Sequence, residues 1–273
     1  SMFVDSHCHL DFAEFSDDLD GIVSRANDAG VKHMLSICTH VTKFNQVLAV
    51  ASRYDNNFCT VGIHPHHAKE VNADTAHQLK SLHACPEVVA VGECGLDWFR
   101  DISPRPVQEK VFIEQLEMAV ENRLPLFLHQ RDASDAFLSI LRDYRARITR
   151  AVVHCFTDDR ATLFGLLDLD CHIGITGWIC DERRGRHLKE LVPSIPFDRL
   201  MIETDAPYLM PRDLDPKPKT QRNEPMHLAH IAAFIARCVE KPLTQLAQET
   251  TQVAEAFFSL DARQPFEENS ADS

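Results

Sequence analysis

His7 and His9 form an HxH pair, and His64, Glu93, His129, His154 and Asp205 follow at wider intervals. Imidazole and carboxylate groups are the usual protein ligands of first-row divalent cations. Alternate residues of a strand point to the same side, so His7 and His9 can grip one cation together. Asp205 can reach the same cation if the last strand closes on the first. Glu93, His129 and His154 come from consecutive strands and can hold a second cation. Glu93 lies between the two groups and could bridge them through its two oxygens. Two cations about 3.5–4 Å apart suit phosphodiester hydrolysis, because they clamp the attacking and leaving oxygens. Water activated there is the natural nucleophile, and Asp205 is a candidate general base. Two divalent cations per chain are therefore expected.

Something must bring these residues together. Short β-branched runs recur at 3–5, 34–38, 58–63, 88–93, 126–129, 151–154, 172–176 and 200–203, each reading as a buried parallel strand. Helical stretches lie between them. Ser16 reads as a cap for a helix with Leu19, Ile22, Val23 and Ala26 on its apolar face, ended by Gly30. Pro106 suits the first helical position of another, with Val107, Val111 and Leu116 inward. Pro225 does the same for a helix carrying Leu228, Ile231, Ile235 and Cys238. Eight such units imply an α/β fold, a (β/α)₈ TIM-type barrel, possibly distorted. No GxGxxG follows any strand, which disfavours an open dinucleotide-binding sheet. The C-terminal ends of barrel strands meet at one mouth, and the candidate ligands fall at those ends. A single HxH is weak, and His129 or His154 alone is more often a satisfied polar group at a strand end. Their convergence on one rim carries the reading.

Other polar residues are placed by the same frame. His64 ends the third run and is a candidate substrate contact. His66 and His67 follow in a loop. Glu203, two residues before Asp205, reads as support for the ligands. Trp98 and Phe99 could stack on a base or sugar. Arg183, Arg184 and Arg186 follow the seventh strand; Arg212, Lys217, Lys219 and Arg222 follow the eighth. At the mouth, Arg184 and Lys217 could bind phosphates.

The whole chain of 273 residues fits one barrel. A single domain is expected over 2–262, with a polar, disordered tail over 263–273. The segment 211–224 is a long Pro- and Lys-rich loop. The formal net charge of −13 argues against generic nucleic-acid binding, though not against an enzyme whose positive charge is bound metal. No apolar run reaches the roughly 18 residues of a membrane span, and no leader pattern opens the chain at Met2-Phe3-Val4. Ser1 reads as an expression remnant. Nine cysteines without a CxxC pair suggest buried free thiols in a reducing compartment, hence a cytoplasmic protein. A monomer is expected.

The motifs DSHCHLD at 5–11, GIHPHHA at 62–68, GECGLD at 92–97, LHQRDA at 128–133, HCFT at 154–157 and ETDAPYL at 203–209 occur together here. In that combination the chain resembles the TatD family of metal-dependent nucleases, among the amidohydrolase-like barrels. The segments 175–185 and 211–225 resemble the TatD branch itself, and the likeness spans roughly 3–260. The resemblance implies a DNase, often a 3′→5′ exonuclease on single strands, with DNA and possibly RNA as substrate. It implies one metal on His7, His9, Glu93 and Asp205, and another on Glu93, His129 and His154, with His64 beside them. Some branch members lack the first HxH, which this chain keeps. Where the wider superfamily often has a carboxylated lysine as bridge, Glu93 stands here. The resemblance implies Mg²⁺, while an imidazole-rich set also suits Mn²⁺ or Zn²⁺. Two other readings use the same residues: hydrolysis of an ester or amide, such as an aminoacyl linkage on tRNA, and a metal-binding interaction protein with vestigial chemistry.

Overall fold

Apolar runs buried on both faces fold as parallel strands, each returned by an outer helix. A computed structural model describes residues 2–263. Its first half runs β1 (Phe3–Cys8), α1 (Leu19–Asp28), β2 (Val31–Ser36), α2 (Phe44–Arg53), β3 (Asn57–Val61), α3 (Ala73–Leu82), β4 (Val88–Asp97) and α4 (Arg105–Asn122). The second half runs β5 (Leu126–Arg131), α5 (Ser134–Tyr144), β6 (Ala151–Val153), α6 (Arg160–Asp168), β7 (His172–Ile175), α7 (Arg186–Leu191) and β8 (Leu200–Ile202). Three further helices close the chain: α8 (Leu228–Cys238), α9 (Leu243–Phe258) and α10 (Leu260–Arg263).

The eight strands pair in sequence order, all parallel. The ring closes through a bridge between Cys8 and Ala206, with Asp205 N donating to His7 O and His9 N to Ala206 O, both at 2.9 Å. The expected (β/α)₈ barrel is what the chain forms. Its interior is packed: Val4, Leu35, Phe58, Val89, Phe127, Val152 and Met201 are buried in one cluster with Phe257 and Phe258 of α9. Phe257 meets His172 at the start of β7, so α9 seals the N-terminal end and leaves the other end as the mouth.

Several boundaries differ from the sequence reading. β1 extends through His7, and β4 continues to Asp97, so Glu93 lies inside a strand. β2 ends at Ser36 and β3 at Val61, which places His64 beyond its strand. Ser16 does not cap α1: Asp18 occupies that position, and Ser16 Oγ donates instead to Ala13 O within a short 3₁₀ turn. Pro106 is the second residue of α4. Pro225 opens a 3₁₀ turn that leads into α8. The tail expected over 263–273 lies outside the described residues, except that Arg263 belongs to α10. No helix among the described residues is long and apolar enough to cross a membrane. All nine cysteines are free.

Candidate metal centre

Two glycines let β4 deliver its carboxylate. Gly92 and Gly95 have φ of +151° and +149°, and a Cβ at either would collide with a carbonyl oxygen of β5, that of Phe127 or His129. Only glycine permits so close a strand approach. The register shift between Gly92 and Cys94 then turns Glu93 into the barrel, where it is 3% exposed.

Two sets of donors converge around it. On one side His7 Nε2 and His9 Nε2 are 3.0 Å apart and lie 3.1 and 3.3 Å from Asp205 Oδ1. Asp205 takes a left-handed backbone, φ 58°, fixed by its bond to His7 O and by Tyr208 N donating back to it. On the other side Glu93 Oε1 is 2.5 Å from His154 Nε2 and 3.0 Å from His129 Nδ1, and those two nitrogens are 3.2 Å apart. Glu93 Oε2 points back toward His7 Nε2 at 4.0 Å. Ligands about 2.1 Å from one tetrahedral cation stand about 3.4 Å from each other, close to these separations. Lone pairs aimed at lone pairs are unfavourable without a cation between them, so the donor set fits a divalent metal. Nδ1 of His7, His9 and His154 are buried without a hydrogen-bond partner among the described residues, so the site-facing nitrogens are Nε2.

The neighbours set the protonation. Burial holds His7 down to about 4, a neutral imidazole free to ligate. Burial also works against charge on Glu93, but His154, His64 and His129 outweigh it and keep the carboxyl well below its usual range. Asp205 is likewise lowered, burial being overcome by His7 and His9. His129 Nε2 donates to Asp97 Oδ2 at 2.9 Å, which leaves Nδ1 as the ligating atom. Burial opposes protonation of His129, yet Asp97 and Glu93 lift it to about 9, so without a cation the ring also holds a proton on Nδ1, which a bound metal would displace.

His64 is different. Its Nδ1 accepts from His66 N at 3.1 Å, so Nε2 carries the proton and faces Glu93 Oε1 at 3.5 Å as a donor. Its place is fixed by Gln115 of α4, a 1% exposed side chain that accepts from Ile63 N at 2.8 Å and donates to Ile63 O at 3.1 Å. Glu203, fully buried and pushed well up by burial, accepts from Cys155 N and lies 3.8 Å from His154 Nδ1. Asp5 Oδ1 accepts from His7 N at 3.2 Å and Thr204 N at 3.0 Å, tying the HxH strand to the Asp205 segment.

These donors line one cavity of about 450 Å³ at the mouth, with His64, Phe12, Arg131, Trp178 and Tyr208 around them. Three expected substrate contacts are absent from its lining. Trp98 packs against the core under the Arg105 guanidinium, 4.5 Å from its ring. Arg184 Nε is held by Asp181 Oδ2 at 3.1 Å, and its guanidinium covers the indole of Trp178 at 4.2 Å. Lys217 is exposed in the loop after β8. Residues that the sequence reading missed are Asp97, Arg131, Trp178 and Tyr208. Asp97 and Arg131 share a signal: each lies an even number of residues beyond a ligand of its own strand, hence on the same side.

A family model described as TatD related DNase matches residues 4–259. The chain belongs to this family. It is thereby a metal-dependent hydrolase of phosphodiester bonds. Among TatD relatives, a 3′-5′ ssDNA/RNA exonuclease TatD from Erwinia amylovora is 46% identical over 92% of this chain and 98% of its own length. One of the same description from Klebsiella pneumoniae is 44% identical over 93% and 96%. A solved TatD homologue from Escherichia coli K12 superposes with TM-score 0.86 at 30% identity, covering 94% of this chain and 98% of that one. A TatD-family hydrolase from Entamoeba histolytica, 22% identical, shares the fold at TM-score 0.86 over 94% and 99%.

Proposed function

We propose that this TatD-family chain is a two-cation exonuclease that shortens single-stranded DNA, and RNA, from the 3′ end. The observation that carries the reading is Glu93 standing between two donor sets, His7, His9 and Asp205 on one side and His129 and His154 on the other. The polarity and strand preference are supported by the descriptions of the relatives above.

His7, His9 and Asp205 would hold one cation and His129 and His154 the other, with Glu93 shared between them. Bound divalent cations supply the Lewis acidity that polarises the phosphodiester and favours ionised water near neutral pH. Asp205, kept ionised by its two imidazoles, takes the proton of the attacking water. His64 offers its Nε2–H toward the phosphate. Asp97 holds the His129 ring in the tautomer that leaves Nδ1 bare. Mg²⁺ is the proposed cofactor, with Mn²⁺ or Zn²⁺ suited to the imidazole-rich set. We place the enzyme in the cytoplasm as a monomer with one barrel domain over 2–262; its free buried thiols support the compartment.

The test is cleavage of 5′-labelled single-stranded DNA by chelator-stripped protein after adding back Mg²⁺, Mn²⁺ or Zn²⁺, beside Glu93→Ala. Metal-dependent shortening from the 3′ end, lost in the variant, is expected. A folded, metal-loaded protein that cleaves nothing, or a fully active Glu93→Ala, would overturn the two-cation nuclease.

A further inference from the structure

A polyanion must be held by a chain of net charge −13, and three of the arginines that follow β7 and β8 are already engaged. Arg183 and Arg184 are both paired with Asp181, at 3.2 and 3.1 Å, and Arg212 with Glu182 at 2.7 Å. Guanidiniums already neutralised by carboxylates release few counterions on meeting phosphate. Among the described residues lining the cavity, Arg131 is a cation with no acidic partner. Its guanidinium carbon sits over the exposed Phe99 ring, 3.8 Å from the centroid. Lys217 and Lys219 are exposed in the loop after β8 but outside the cavity lining, so within the cavity itself one cationic side chain faces a whole strand.

The same mouth carries aromatic surface. Tyr208 is 51% exposed, and of the five exposed large apolar side chains among the described residues it is the one that lines the cavity. Its ring stands edge-on to Phe12 at 6.0 Å, and Phe12 in turn stacks on His9 at 4.5 Å. Trp178 lines the cavity too. Its Nε1–H donates to Arg184 O at 3.1 Å, and the Arg184 guanidinium covers one face. The Trp178 ring is therefore set before a ligand arrives, which lowers the ordering cost of binding.

We propose that the mouth holds its strand chiefly through the bases, which stack on Tyr208 and Trp178, with Arg131 as the phosphate anchor. The proposal rests on the nuclease reading and explains a strand preference that the metal ligands cannot. Only unpaired bases offer free faces, so a duplex cannot use the platforms. Stacking does not consult the sugar, so DNA and RNA are both accepted.

Binding of a fluorescent phosphorothioate oligothymidylate, which resists cleavage, is measured by anisotropy in Mg²⁺ beside an abasic strand of equal length. Tyr208→Ala and Trp178→Ala should each weaken binding of the base-bearing strand about 5- to 100-fold, with Tyr208→Phe and Trp178→Phe restoring it. Wild type should bind the abasic strand more weakly than either variant binds the base-bearing one, since an abasic strand loses both platforms at once. The logarithm of affinity should fall against that of salt with a slope no steeper than about −1.5, one or two phosphates' worth. Equal binding of both strands by wild type, no loss in the Ala variants, or a slope of about −4 would overturn the platforms. If wild type shortens no nucleic acid with any metal, the nuclease reading itself falls; cleavage with unaltered variants removes only the platforms.

Discussion

Replacing Asp97 with Asn removes a charge but keeps a side chain of the same shape, and the consequence falls on His129. Asp97 Oδ1 accepts from Phe99 N at 3.1 Å and Arg100 N at 2.8 Å, while Oδ2 faces His129 Nε2 at 2.9 Å and His66 Nε2 at 3.2 Å. Two backbone donors oblige the amide oxygen of Asn to stay where Oδ1 is. Its NH₂ then points at the two imidazoles. His129 must answer with a bare Nε2, which moves its proton to Nδ1, the atom facing Glu93 and His154. A protonated nitrogen cannot ligate. Loss of such a partner costs about 10- to 100-fold in metal affinity, or about 1.4–2.7 kcal/mol. Activity of the stripped enzyme against free metal concentration reads this directly. The half-activating concentration should rise by that factor. A metal titration superimposable on wild type would refute the tautomer argument.

Two further outcomes follow from groups away from the ligands. Gln115→Leu keeps the volume but strands the N–H and C=O of Ile63, so urea unfolding should show a loss of about 2–4 kcal/mol; a neutral result would mean that the barrel wall relaxes around the gap. His83, 5% exposed with Nε2 against Val61 O at 3.2 Å, is held by burial at about 4 instead of 6.5. Its folded pKa is depressed, so its contribution is complete above about pH 6.5 and is lost as pH falls toward about 4, amounting to about 3 kcal/mol. His83→Gln should flatten the decline in wild-type stability between about pH 7 and about pH 4.5, and parallel curves would dismiss this role.

The barrel was legible because parallel strands must be apolar on both faces, and that leaves long runs interrupted only where a side chain serves the mouth. The same logic exposed His7, His9, His129, His154 and Asp205, which break or follow such runs. It ended the fourth strand too early, at Glu93, where glycines and acids interrupt the apolar run. The glycines are instead the condition for β4 to press against β5 and continue to Asp97. Ser16 was a plausible cap because its hydroxyl seeks a nearby backbone group, and it does find one, in a turn upstream of the helix. The rim charges were placed at the correct strand ends. Their availability was not legible, since a row of letters does not show that Asp181 and Glu182 fold back onto Arg183, Arg184 and Arg212. For the aromatic residues, nothing in composition separates Trp98 from Trp178; only the curl of the chain after β4 and β7 does.

The seam of the barrel has a consequence for biosynthesis. The first and last strands meet at Cys8 and Ala206, and the residues on either side, His7, His9 and Asp205, are one of the two donor sets. A ribosome delivers the imidazoles of this set almost at once and its carboxylate about two hundred residues later. Until that stretch has emerged and docked, the nascent chain lacks one donor set of the candidate centre, although it already carries Glu93, His129 and His154. Synthesis and folding thus act as a built-in delay: a degradative enzyme is armed only when the circle of strands is whole, and a truncated product is disarmed by the same geometry.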